Sequence, residues 1–206
     1  MSAPILIPQV QPWLDQEEVV AASGAITNNW ITEGPNSQEF STKLNELIGV
    51  PYGVLAPNGT LALVLGLMAL GIEPGDEVLV PNITFIGSAN AVIMLGAVPV
   101  FVEVEKITFQ LDVEKAETLV NERTRAIMPV HLYGTSCNMR AVSAFALKHK
   151  LKIIEDAAQG IGVSYYGQHV GGLSDVGCFS FFADKTLTTG EGGYVVCHDE
   201  EIYKRL

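Results

Sequence analysis

Lys185 lies between an aromatic run and a run rich in threonine and glycine, in the stretch FSFFADKTLTTGEGG at 179–193. A lysine in a loop is usually solvated, and this is the alternative to any functional interpretation. Here the rings of Phe181 and Phe182 would desolvate the amine, and the glycines would let the backbone approach a ligand closely. A desolvated lysine amine is a nucleophile for carbonyl groups. The stretch therefore predicts a reactive lysine.

The sequence NGT at 58–60 directly precedes an apolar helical pattern. The first N–H groups of a helix have no partner within it, so this position offers amide donors and the Thr60 hydroxyl to a phosphate. The alternative is that Asn58 only caps a core helix. Neither a G-x-G-x-x-G dinucleotide motif nor a Walker loop occurs in the chain.

Three further residues carry functional groups near predicted strand ends. Asp156 could bind a metal, pair with a cation or accept backbone hydrogen bonds, because a buried aspartate needs a partner. Phe85 is either part of the core or an aromatic face that covers a flat ring. The Ser180 hydroxyl interrupts an apolar strand pattern and needs a hydrogen-bond partner, for which a backbone carbonyl would suffice.

Together these residues are the parts of a site for pyridoxal phosphate. The phosphate would bind at 59–60 and Ser180, while the ring would lie against Phe85. Lys185 would reach the aldehyde. The Asp156 carboxylate would pair with the ring nitrogen and keep the ring protonated, so that the ring accepts electrons from a carbanion. A charge-assisted hydrogen bond of this kind contributes about 1.5–3 kcal/mol.

The elements that must position these residues alternate along the chain. Helical patterns cover 36–49, 58–71, 85–96, 112–123 and 139–150, and a capping pair at Asp15 and Glu18 begins a short helix before them. Apolar strand patterns cover 78–81, 98–104, 125–131, 152–156, 176–182 and 192–197. Apolar strands separated by helices predict an α/β fold with a mostly parallel sheet covered on both faces. Ligands bind such sheets at the carboxyl ends of the strands, where the candidate residues fall.

The composition excludes several classes of function. A net charge of −11 disfavours non-specific binding to nucleic acid or to an anionic membrane, so an anionic ligand needs local donors. Three cysteines, Cys137, Cys178 and Cys197, form no metal-spaced set, so no metal site is predicted, and their odd number fits a reducing compartment. The N-terminal 18 residues contain no basic region followed by a long apolar run. We therefore expect no signal peptide, no membrane span and a cytoplasmic location.

Several stretches resemble the DegT/DnrJ/EryC1/StrS aminotransferases, over nearly the whole chain. They are WITEGP, PNGTLALVLGLMALGIEPGDEVLVPNITFIGSANAV, AIMPVHLYGTSCNM and, as the most specific block, IIEDAAQGIGVSYYGQHVGGLSDVGCFSFFADKTLTTGEGGYVV. The resemblance implies a fold-type I pyridoxal phosphate enzyme with a three-layer large domain. It also implies a nucleotide-linked keto sugar as substrate, glutamate as amino donor and a homodimer with active sites at the interface.

The resemblance implies roles for individual residues. Lys185 would bind the cofactor covalently and then move a proton, and Asp156 would pair with the ring nitrogen. Gln159 would contact the ring's hydroxyl side. The implied cofactor contacts are Gly59, Thr60, Phe85, Asp156, Gln159, Ser180 and Lys185. Trp30 and Thr32, within WITEGP, are weaker candidates for substrate contacts.

The expected substrate follows from local similarity. Relatives with histidine in place of Lys185 are dehydratases, so the lysine favours transamination. FADKTLTTGEGG is most similar to perosamine-synthase-type members, which aminate a GDP-linked 4-keto-6-deoxymannose, whereas EDAAQ is commoner in relatives that use dTDP- or UDP-sugars. The nucleotide is therefore open at this point.

Family members extend past residue 206 into a C-terminal domain. The expectation is that 1–206 holds an N-terminal segment and the cofactor-binding large domain, without the C-terminal domain. The alternative is a truncated, catalytically incomplete protein that binds pyridoxal phosphate or has a regulatory role.

Overall fold

The structure is a computed structural model that describes residues 12–206, so most of the segment on which the signal-peptide prediction rests lies outside the described residues. The helices are α1 (Gln16–Thr27), α2 (Pro35–Ile48), α3 (Gly59–Ala69), α4 (Gly87–Met94), α5 (Val113–Ala116), α6 (Met139–His149) and α7 (Glu200–Tyr203). The strands are β1 (Tyr52–Ala56), β2 (Glu77–Pro81), β3 (Val98–Val102), β4 (Thr124–Ile127), β5 (Lys152–Asp156), β6 (Ser164–Tyr165), β7 (Gln168–His169), β8 (Val176–Ser180) and β9 (Gly193–Cys197).

Seven strands form one sheet in the order β1-β9-β8-β5-β4-β2-β3. The five strands from β8 to β3 are parallel, and β9 pairs antiparallel with both β8 and β1. The short strands β6 and β7 make a separate hairpin. The prediction of an α/β fold with a mostly parallel sheet is therefore confirmed.

Helices cover both faces of this sheet. Along β9, Val195 and Cys197 pack in the core beneath α3, α4 and α7, whereas Tyr194 and Val196 pack towards α2 on the other face. Helices α5 and α6 lie on this second face too, over Leu79 of β2 and its neighbours. Side chains alternate between the faces of a strand, so the two apolar cores make three layers, as predicted.

Helix α3 lies close against the middle of the sheet. A Cβ atom at Gly66 would be 2.9 Å from the Ile154 side chain and 3.0 Å from Cys178 Sγ, so glycine permits this contact. Helix α3 is apolar nearly all round, and its buried residues face the strands. Its N-terminus is thereby held at the carboxyl ends of β5 and β8.

Helix α1 contrasts with α3. It begins at the predicted capping pair, where the Asp15 N–H donates to Glu18 Oε2 at 2.7 Å and the Glu17 N–H donates to Asp15 Oδ1 at 2.8 Å. None of its residues is buried. Within residues 12–206, no helix has the length and apolar character that a membrane crossing requires.

The helix predicted at 112–123 is largely wrong, since only Val113–Ala116 is helical. In place of the later helical turns, the chain makes a tertiary contact: Asn121 Nδ2 donates to Glu77 Oε2 at 2.6 Å. A local contact accompanies it, since Asn121 Oδ1 accepts from the Arg123 N–H at 2.9 Å. Strand β1 and the β6–β7 hairpin were not predicted from the sequence. Strands β6 and β7 have only two residues each, and β1 is the edge strand that pairs with β9, from a distant part of the chain.

Candidate active site

A cavity of about 660 Å³ opens at the carboxyl ends of the parallel strands, between the N-termini of α3 and α4. All seven predicted cofactor contacts line it, namely Gly59, Thr60, Phe85, Asp156, Gln159, Ser180 and Lys185. The residues come from four separate segments of the chain, at 59–60, 85, 156–159 and 180–185. The fold therefore brings together groups that the sequence separates by more than a hundred residues.

The start of α3 forms one end of the cavity. The Leu61 N–H donates to Asn58 Oδ1 at 2.9 Å and the Ala62 N–H donates to Asn58 O at 2.9 Å, so Asn58 caps the helix as the alternative reading proposed. The cap leaves the amides of Gly59 and Thr60, which have no partner inside a helix, at the cavity wall. The cap and the anion-binding reading are therefore compatible.

Ser180, at the end of β8, lies directly beside this helix start. A Cβ atom at Gly59 would be 2.6 Å from Ser180 Cβ and 3.1 Å from its Oγ, so only glycine allows the hydroxyl this close. The Ser180 hydroxyl oxygen accepts a long hydrogen bond from the Phe182 N–H at 3.4 Å. Two helix amides and two hydroxyls thus converge on a cradle that a side chain at 59 would fill, and such a cradle fits a phosphate group.

Asp156 ends β5 and is 5% exposed. Ser88 Oγ donates to Asp156 Oδ2 at 2.7 Å, and the Ala158 N–H donates to Oδ1 at 3.1 Å. Burial raises the pKa of Asp156, and the hydrogen bond from Ser88 opposes that rise. Within residues 12–206, Asp156 forms no salt bridge, and a buried carboxylate of this kind at a cavity wall suits a protonated ring nitrogen.

Lys185 lies on the loop after β8, lines the cavity and has a side chain that is 19% exposed. Its Nζ lies 3.4 Å from Asp184 Oδ1, a neighbour whose pairing the sequence analysis did not anticipate. Phe182 lines the cavity as expected. The expectation for Phe181 is wrong, because this ring is buried in the core at 5.2 Å from the Phe40 ring.

Phe85 and Gln159 also line the cavity. Phe85 is 69% exposed, and its ring packs over Gly87, where a Cβ atom would be 2.9 Å from the ring. One face of the ring is therefore accessible from the cavity mouth. Gln159 Oε1 accepts from the Tyr133 N–H at 2.6 Å, which leaves the side-chain NH₂ group as a donor for a ligand.

Trp30 and Thr32 lie apart from these residues, on the exposed loop between α1 and α2. The Trp30 Nε1–H donates to Glu33 O at 3.0 Å. Neither Trp30 nor Thr32 is among the described residues that line the cavity. Their role in substrate binding stays a prediction.

Sequence reasoning missed the polar groups that surround Asp156. Ser88 is fully buried and contacts Thr84, whose Oγ1 lies 2.8 Å from Ser88 Oγ. The signal that could have identified Ser88 is a hydroxyl in the first turn of a mostly apolar helix, one turn after Phe85. Both hydroxyls line the cavity.

A second buried carboxylate, Glu155, lies on the opposite face of β5. It accepts hydrogen bonds from the Gly171 and Leu173 amides at 2.7 and 2.8 Å and from Ser174 Oγ at 2.8 Å. His131 Nε2 lies 2.9 Å from Glu155 Oε2. Because His131 Nδ1 accepts from the Cys137 N–H at 3.2 Å, Nε2 must carry the proton that it donates to Glu155.

Comparison with known proteins agrees with the resemblance seen in the sequence. A family model described as the DegT/DnrJ/EryC1/StrS aminotransferase family matches residues 12–206. GDP-perosamine synthase from Caulobacter vibrioides is 43% identical over 196 residues, which are 95% of this chain and 53% of that protein. A UDP-N-acetyl-3-dehydro-alpha-D-glucosamine 3-aminotransferase from Acidithiobacillus ferrooxidans is 43% identical over 193 residues, 93% of this chain and 52% of that protein.

Solved structures show the same fold. The sugar aminotransferase Spr1654 from Streptococcus pneumoniae, described as putative in its name, is solved in PLP and PMP forms and is 31% identical to this chain with a TM-score of 0.92. The match covers 97% of this chain and 56% of Spr1654. The chain thus spans about half the length of the relatives that it matches.

Proposed function

Because the chain belongs to the DegT/DnrJ/EryC1/StrS aminotransferase family, we propose that residues 1–206 form the N-terminal segment and cofactor-binding large domain of a pyridoxal phosphate-dependent sugar aminotransferase. The proposed reaction transfers an amino group from glutamate to a nucleotide-linked 4-keto-6-deoxy sugar, in the biosynthesis of amino-sugar polysaccharides or glycosides. The family is pyridoxal phosphate-dependent, and relatives named for GDP- and UDP-linked sugars are equally similar to this chain.

One observation carries the proposal: an amine, a buried carboxylate and a helix N-terminus line the same cavity. Lys185 could bind an aldehyde, Asp156 could hold a ring nitrogen, and the amides at the start of α3 could bind a phosphate. A surface lysine or a simple capping site would not require this convergence.

The residues present fit pyridoxal phosphate at each end. The phosphate would bind to the Gly59 and Thr60 amides with the hydroxyls of Thr60 and Ser180. Phe85 would cover a ring face, and the Gln159 NH₂ group would donate to the ring hydroxyl. When bound, the cofactor supplies an aldehyde that condenses with amines and a ring that accepts electrons.

Within this site, two residues do the chemistry. Lys185 would hold the cofactor through its Nζ, which would bond to the aldehyde carbon as the carbonyl oxygen leaves as water, and the amine would later take up or return a proton at Nζ. The Asp156 carboxylate holds a proton on the ring nitrogen, because two hydrogen bonds keep its oxygens oriented and burial strengthens its attraction for a cation. The cavity walls limit access of water to both groups.

We also propose that a second copy of the chain completes the site. Two pairs of large apolar residues are exposed at the two ends of α4, Phe85 and Ile86 just before it and Ile93 and Met94 in its last turn. Phe85 and Met94 line the cavity as well. Exposed apolar patches of this kind mark protein interfaces. Size-exclusion chromatography with light scattering should give the mass of a dimer.

The proposal is tested first by covalent trapping. The chain is incubated with pyridoxal phosphate, reduced with borohydride and digested, and the modified peptide is identified by mass spectrometry. We expect the label on Lys185 and no label in Lys185→Arg. Lys152→Arg is the matched control, since Lys152 pairs with Asp175 at the amino end of β5 and should not affect labelling. Label on another lysine would contradict the assignment.

The second test distinguishes an enzyme from a protein that only binds the cofactor. Glutamate is added to the reconstituted chain, and conversion to the pyridoxamine form is followed by absorbance. A panel of GDP-, dTDP- and UDP-linked 4-keto-6-deoxy sugars is then supplied. Turnover with one of them supports the proposed reaction and identifies the nucleotide, whereas cofactor binding without conversion supports the binding-protein alternative.

A further inference from the structure

We propose that Ser88 is a positioning residue that, together with Thr84, holds the Asp156 carboxylate ionised and oriented towards the cofactor ring. This inference rests on the proposed function, because it assigns residues that act through the ring-nitrogen partner. Neither residue was singled out by its type or by its position in the sequence.

The hydrogen bonds define a direction. Asp156 has only acceptor atoms when ionised, so the hydroxyl hydrogen of Ser88 must be the one that lies in the 2.7 Å contact with Oδ2. The Ser88 oxygen is then an acceptor in its 2.8 Å contact with Thr84, and Thr84 must be the donor. The chain of donors runs from Thr84 through Ser88 to Asp156, and every member favours the anionic carboxylate.

Burial makes this assistance necessary. Ser88 is fully buried and Asp156 nearly so, and a charge in such surroundings is costly without hydrogen-bond donors. The Ala158 N–H donates to the other carboxylate oxygen at 3.1 Å. With one donor on each oxygen, the carboxylate is held in one rotamer and each oxygen keeps a lone pair for a further donor.

A purely structural role explains Ser88 less well. An alanine would fit the buried first turn of α4, whose neighbours Gly87 and Ala89 are both small, so the helix itself does not require a hydroxyl at this position. The Ser88 hydroxyl makes its contacts with Asp156 and Thr84. Thr84 lies outside the helix and lines the cavity. The pair is arranged around the carboxylate and not around the helix.

Other ionisable groups surround Asp156 and must be held constant in any test. Lys185 lies on the loop after β8, and its positive charge would favour the ionised form. His131, on the loop after β4, is a neutral ring, because its Nδ1 accepts from the Cys137 N–H and only Nε2 carries a proton. The remaining neighbours are Glu155 on β5, Cys178 on β8 and Cys137 before α6. The burial of each thiol raises its pKa, to about 12 for Cys137, so both stay neutral at pH 7.

The first experiment uses the cofactor-free chain. The pKa of Asp156 is measured by carbon-13 NMR of the labelled carboxyl group in the parent, Ser88→Ala and Thr84→Val. We expect the pKa to rise by about 1–2 in Ser88→Ala, because a hydrogen bond to a charged group is lost, and by less than about 1 in Thr84→Val. Thr84→Ser keeps the hydroxyl and should restore the parent value.

The second experiment uses the reconstituted protein with pyridoxal phosphate that carries nitrogen-15 in the ring. Loss of Ser88 raises the proton affinity of Asp156, so we expect the ring nitrogen resonance to move towards the unprotonated position in Ser88→Ala. A change in folding stability alone would not move this resonance. Thr84→Val, at a half-buried loop position, provides the same test should Ser88→Ala fail to fold.

The matched control is Thr124→Val. Thr124 is also buried, and its hydroxyl lies 3.5 Å from the Glu77 carboxylate at the opposite end of the sheet. If Ser88→Ala and Thr84→Val change the Asp156 pKa and the ring nitrogen resonance no more than this control does, the inference is wrong while the proposed function still stands. A parent chain that binds no pyridoxal phosphate at Lys185 would overturn the proposed function together with it.

Discussion

Glu155 and Asp156 are consecutive buried carboxylates at the end of β5, yet the structure uses them differently. Side chains alternate along a strand, so Glu155 faces the turn at 171–174 while Asp156 faces the cavity. Glu155 accepts from four donors, which include the His131 ring. Asp156 accepts from two and has cavity space beside it.

The difference separates a structural carboxylate from one that is available to a ligand. Four donors occupy the lone pairs of Glu155 and tie the turn at 171–174 to the loop after β4, so its burial is compensated within the chain. Asp156 is compensated only in part. A buried carboxylate with unused acceptor capacity is therefore the better indicator of a binding site.

The largest expected effect on the free energy of unfolding is that of replacing Glu155. In Glu155→Gln, the amide group would place N–H donors against the amides of Gly171 or Leu173, leaving buried groups unsatisfied. We expect the free energy of unfolding to fall by about 3–5 kcal/mol, measured by urea denaturation. Glu39→Gln, at an exposed pair with Lys43, should leave the unfolding midpoint unchanged.

An intermediate effect is expected at the cavity wall. The Cβ atom added by Gly59→Ala would overlap Ser180, so the start of α3 or the end of β8 must shift, at a cost of about 1–3 kcal/mol. The displaced amides should also weaken pyridoxal phosphate binding about tenfold or more, as measured by fluorescence titration. Gly24→Ala, in exposed α1 with open space around it, should instead stabilise the chain by about 0.5–1 kcal/mol. If Gly59→Ala and Gly24→Ala change the free energy of unfolding equally, the proposed phosphate cradle at Gly59 and Ser180 is wrong.

The smallest effect on stability is expected at Asp156. Burial raises the pKa of Asp156 in the folded chain, so its contribution is most favourable below the unfolded pKa of about 3.9 and is lost as the pH rises through the folded value. We expect Asp156→Asn without cofactor to be at least as stable as the parent at pH 7, and the difference to grow between pH 4 and pH 7. Urea denaturation across this range measures it.

The same two substitutions should affect pyridoxal phosphate binding in the opposite order, with the larger loss at Asp156. Asp156→Asn removes the charge that a ring nitrogen needs, so retention of pyridoxal phosphate after dialysis should be lost although the fold is intact. Glu155→Gln, where it folds, should retain the cofactor. Were Asp156→Asn to be destabilised as strongly as Glu155→Gln, the division between the two carboxylates would be wrong.

The sequence alone indicated the α/β fold and the residues of the cavity, because helix and strand periodicities are local and because the motifs around Asp156 and Lys185 are specific to a family. Local patterns failed at 112–123, where the helix ends at Ala116 and Asn121 binds Glu77, and at β1, which pairs with the distant strand β9. Both depend on contacts distant in the chain.

What only the tertiary structure decided is which groups support the predicted ones. Ser88 and Asp156 are 68 positions apart in the sequence, and Glu155 and His131 are 24 positions apart, so neither contact has a sequence signature. The tertiary structure also shows the pairing of Lys185 with Asp184 and the burial of the Phe181 ring in the core. Residue types determined the available chemistry, while side-chain packing determined which of two neighbouring carboxylates is free to perform it.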